Sequence, residues 1–94
     1  MTGQQLVLNI AVNLGRLSRW AQEGKITRMH QFLADTENYL EQLEQTPTSG
    51  QFVTTLRLFK QQFSELKKNT NYNDEWAETA LTWANILTHR AKLA

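Results

Sequence analysis

His30 and His89 are the side chains of this chain best suited to moving a proton or a phosphoryl group, and neither has the company such chemistry needs. His30 lies between Met29 and Gln31-Phe32, neutral neighbours that supply no carboxylate to orient the ring, so a structural or solvated histidine is expected there. Helical bundles that hold two metals do so with inward carboxylates and Glu-x-x-His pairs. Here Thr27 and Ile86 occupy the positions three before the histidines, and the expected core stripes contain no acidic residue. The absence of cysteine removes thiol catalysis and cysteine-based zinc sites. Serine and threonine are plentiful, but no grouping of them with histidine and an acid forms an acylation triad. The expectation is a protein with no catalytic residues, no metal and no cofactor, and therefore not an enzyme.

The other residues that could do chemistry are cations and indoles. Arg16, Arg19, Trp20, Lys25, Arg28, Lys67, Lys68 and Trp76, with His30 nearby in sequence, fall near the ends of helical segments. If those ends meet, the cluster offers charge-assisted hydrogen bonds and stacking to an anionic or nucleotide-like ligand. The opposing argument is that cations belong at helix C-termini, and that Glu23, Asp74, Glu75 and Glu78 stand close enough to neutralise them. Ten Lys and Arg against nine Asp and Glu leave a formal net charge of +1, so no overall field draws the chain to nucleic acid or to an acidic membrane. Neither is expected as a partner.

The segment that must position everything else is Leu6 to Ala21. Val7, Ile10, Leu14, Leu17 and Ala21 recur at steps of three and four, which places them on one side of a helix. Leu8 and Val12 point roughly opposite, at about 100° per residue, with Ala11 and Gly15 beside them. Glycine inside a helix costs about 1 kcal/mol relative to alanine, so Gly15 next to Ala11 suggests a close approach by another backbone. Two readings follow: this is the innermost helix of the chain's own bundle, or it keeps a second face for another chain.

Gly24 supplies a left-handed stop after this helix. A second periodic run follows through Ile26, Met29, Leu33, Thr36, Leu40 and Leu43, flanked by Phe32 and Tyr39. Thr46-Pro47-Thr48-Ser49-Gly50 is the strongest loop signal in the chain,. A third run presents Phe52, Leu56, Phe59, Phe63 and Leu66, and a fourth Trp76, Ala80, Trp83 and Leu87, with Asn73 or Asp74 as its cap,. Four helices at roughly 4–22, 26–45, 50–69 and 74–92, joined by short loops, predict an all-α, antiparallel up-down four-helix bundle in one domain, 1–94. The acidic run Asp35, Glu37, Glu41 and Glu44 is expected to face Arg90 and Lys92 at the end of the fourth helix. No stretch is apolar enough to span a bilayer. Asn9 and Asn13 interrupt the N-terminal apolar run, which has no basic residue before it, so a signal peptide is not expected. Together with the lack of cysteine this points to the cytoplasm.

What remains is apolar surface beyond four core stripes. Leu8, Ala11, Val12 and Gly15 on the first helix, with Leu81 and Ile86 on the fourth, form the candidate interface, and Leu58 on the third helix is a further outlying apolar residue. The expected function is a small adaptor or regulatory module that docks a protein partner or, as a homodimer, itself. A ligand-binding domain using Arg16, Arg19, Trp20, Arg28, Lys67, Lys68 and Trp76 is the alternative.

Overall fold

Thr2 starts the first helix by closing a capping box. Its hydroxyl accepts from the Gln5 backbone N–H at 3.1 Å, while the Gln5 side-chain oxygen accepts from the Thr2 N–H at 2.9 Å. Two donors that helix geometry leaves free are thereby satisfied. The helix, α1, runs Gly3–Glu23 and ends at Gly24, whose φ of 72° is the left-handed conformation glycine adopts without strain,. The N–H of Lys25 bonds the carbonyl of Trp20, and that of Gly24 bonds the carbonyl of Ala21, the paired closure of a Schellman stop.

The computed structural model describes residues 1–94 and is all-α, with α2 at Ile26–Glu44, α3 at Gly50–Lys68, α4 at Asp74–Arg90 and a final 3-10 turn at Ala91–Leu93. It is an antiparallel four-helix bundle, 36 Å along its longest axis. No helix is long and apolar enough to cross a membrane. Asn73 caps α4 by accepting from the Trp76 N–H at 2.9 Å. Asp74 and Glu75 in the first turn of α4, and His89 and Arg90 in its last, agree with the helix dipole,.

The backbones of α1 and α4 run closest together, those of α1 and α2 next, and α3 comes near α4 only locally. Small side chains permit the first approach: Ala11, Ser18, Ala77, Ala80 and Ala84 are all buried. Ser18 Oγ donates across this seam to the Ala77 carbonyl at 2.7 Å. The core face of α4 is accordingly turned toward Ala77, Ala84 and Ala91, and Trp83, expected in its stripe, is only half-buried. The more distant α3 fills its gap with Phe52, Phe59 and Phe63, each essentially inaccessible. Phe59 stacks on Phe63 at 5.6 Å and leans on Trp83 at 5.5 Å.

Three details differ from expectation. Ile26, in the first turn of α2 directly after the reversal, is exposed rather than core, and Leu33 and Leu56 are half-buried. The acidic side of α2 pairs with α3, through Lys60–Glu44 at 3.5 Å and Lys67–Glu37, instead of with the end of α4. Arg90 reaches Thr55 on α3 at 3.4 Å instead. The close approach expected at Gly15 is not found: a Cβ added there would meet nothing within 4 Å, and one added at Gly3 would stand in ordinary contact, 3.4 Å from the Ala94 carbonyl carbon.

Candidate functional site

The Ser18–Ala77 bond fixes the antiparallel register of α1 and α4. In that register Ala11 stands level with Ala84, and Gly15 level with Ala80, one residue from Leu81. Helical spacing then decides which residues border the seam on its outer side. On α1 these are Leu8, Val12, Gly15 and Arg19; on α4 they are Asp74, Glu78, Leu81, Asn85 and Thr88. Leu8 is 38% exposed, Val12 52% and Leu81 48%. Leu8, Val12 and Leu81 thus lie on one side of the molecule, around the unfilled space at Gly15.

Two of the interface residues expected from the sequence do not share this outer face. Ala11 is 4% exposed and belongs to the core, because α4 lies directly against it. Ile86 is half-buried on the other flank of α4: five residues, or about 140° of helical rotation, separate it from Leu81,. That flank faces α3, as the Arg90–Thr55 and Phe59–Trp83 contacts show. Leu58, also exposed, lines a shallow surface groove there with Trp83, Gln61, Gln62 and Glu65. Sequence spacing alone could not separate the two flanks of α4. The signal that does so is the run of small residues Ala77, Ala80, Ala84 and Ala91, which marks the side where a neighbouring backbone comes close.

The cationic end is assembled differently from a ligand cradle. Trp20 and Trp76 are both buried, and the Trp76 indole N–H is spent on the Leu66 carbonyl at 2.9 Å. Trp20 meets Phe32 edge-on at 4.7 Å, and this pair is covered by Arg28 over Trp20 and Arg16 over Phe32, each at 5.8 Å. Lys67 lies over Phe63 and is paired with Glu37, and Lys25 with Glu23. Arg19 and Lys68 have no carboxylate partner. His30 abuts Tyr72 at 6.2 Å, and Tyr72, held at φ 48°, abuts Trp76 at 5.2 Å. The groove beside Trp76 is lined by Glu65 and Glu75 with Gln62, Asn69 and Thr79, a lining suited to repelling an anion. Arg16 and Arg28 are therefore brought to one aromatic pair, while Lys67, Lys68 and Trp76 are not part of that group.

No family model, no curated protein and no solved structure matches this chain.

Proposed function

We propose that this protein is a non-enzymatic interaction module of the cytoplasm, docking a protein through the outer side of the α1–α4 seam. The observation that carries the reading is the exposure of Leu8, Val12 and Leu81 around the space at Gly15. Large apolar side chains scattered singly on a surface need no explanation, but a contiguous set on two adjacent helices marks an interaction surface. The bundle buries 21 hydrophobic residues in a core that does not include these three. The test is to compare what the wild type and the Leu8→Asp/Val12→Asp variant retain from a lysate of the protein's own host cells. A species held by the wild type and lost by the folded variant is expected; the same retention by both would overturn the reading.

A second reading, an anionic ligand at the cationic end, keeps one observation in its favour. Arg16 and Arg28 lie over the Phe32–Trp20 pair with no carboxylate partner. Titrating the protein with inorganic phosphate and with a nucleotide should then quench or shift Trp20 emission. An unchanged spectrum and melting temperature would remove this alternative.

A further inference from the structure

We propose that the occupant of the α1–α4 face is a second copy of this chain, with α1 of each copy lying against α4 of the other about a two-fold axis parallel to the helices. The proposal rests on the docking reading above and adds the partner and the geometry. Its basis is complementarity between the two outer stripes of one molecule. Arg19 on α1 is exposed and unpaired; Asp74 and Glu78 on α4, equally exposed and unpaired, stand on either side of its level in the register set by the Ser18–Ala77 bond. Farther along, the open space at Gly15 stands within one residue of the level of the exposed Leu81. A two-fold axis parallel to the helices preserves level while exchanging α1 for α4. It therefore brings Arg19 between Asp74 and Glu78 of the other copy, sets Leu81 into the space at Gly15, and lays Val12 against that leucine.

A two-fold axis perpendicular to the helices does none of this. It reverses level and carries Arg19 toward the Gln4-Gln5 end of the other α1, where no carboxylate waits. The whole side, at most 36 Å long and 20 Å wide, is an upper bound of the order of the roughly 800 Å² per partner that stable interfaces bury. The interface would have an apolar stretch with both charge pairs at its Arg19 end to fix register, the usual division between affinity and specificity.

The experiment is molar mass by light scattering and sedimentation equilibrium from about 1 to about 100 µM, a range that brackets a micromolar dissociation constant. The wild type should weigh twice its 10.9 kDa chain mass at the upper end. Arg19→Glu alone, and Asp74→Lys with Glu78→Lys alone, should each weaken association at least tenfold. Mixed together they should form a heterodimer, because each of its two contacts then joins opposite charges. Should the lysine variant fail to fold, Gly15→Gln replaces it: it fills the space with a good helix former and should lower association at least tenfold with the helical content intact. A mixture that stays monomeric, or Gly15→Gln dimerising like the wild type, overturns this geometry. A wild type at single-chain mass throughout overturns the second copy as occupant, and leaves the docking reading to stand or fall on the Leu8→Asp/Val12→Asp comparison.

Discussion

Along the seam between α1 and α4 the buried side chains are Ala11, Ser18, Ala77, Ala80 and Ala84, whereas α3 reaches the same core with Phe52, Phe59 and Phe63. The first seam brings backbones together and gains many small dispersion contacts; the second holds its helix farther off and fills the space with rings,. The two solutions fail in opposite directions. A close seam has no room for added volume, and an aromatic seam cannot collapse when volume is removed. The close seam also gives α1 and α4 one continuous outer side, and it is there that Leu8, Val12 and Leu81 are exposed together.

The largest expected effect is at the aromatic seam. Phe59→Ala removes a ring packed against both Phe63 and Trp83 and should cost about 3–5 kcal/mol by urea unfolding. At the close seam the opposite change is the informative one: Ala84→Leu, which forces a branched side chain between α4 and α1, should cost about 1–3 kcal/mol. If Ala84→Leu were neutral and Phe59→Ala mild, the contrast between the seams would collapse. Smaller and opposite in sign is Gly15→Ala. Its Cβ meets nothing, so the variant should gain about 0.5–1 kcal/mol, measured in the same way, from helix propensity alone. A loss there would mean that another backbone does approach Gly15.

Much of this architecture was legible before the structure. The four stripes, the Gly24 stop, the Asn73 cap and the Pro47 loop are local signals, and local periodicity reports helices reliably when they are long. The Thr2-x-x-Gln5 capping box is a local signal of the same kind,. What could not be read was rotation about each helix axis. By spacing Ala11 stands beside Leu8 and Val12, next to Gly15, and only the position of α4 shows it to be core. Leu81 and Ile86 both lie off the expected stripe of α4, yet they flank opposite sides of the helix. The acidic run of α2 has cations to match at the end of α4, while its pairs are with Lys60 and Lys67 of α3. In each case the missing information was which helix lies beside which, a property of long-range packing. Trp20 and Trp76 show the same limit, since indoles at helix ends look available until the structure buries them.

The central claim is that Leu8 and Val12 are surplus to the fold and retained on its surface for a partner. The most direct measurement is equilibrium unfolding in urea of the Leu8→Asp/Val12→Asp variant against the wild type, both at concentrations low enough to be monomeric. Stability within about 1 kcal/mol of the wild type, as is usual for exposed positions, is the predicted result. A loss of several kcal/mol, in the range of core truncations, would show that the two side chains belong to the core and would remove the basis for a docking face.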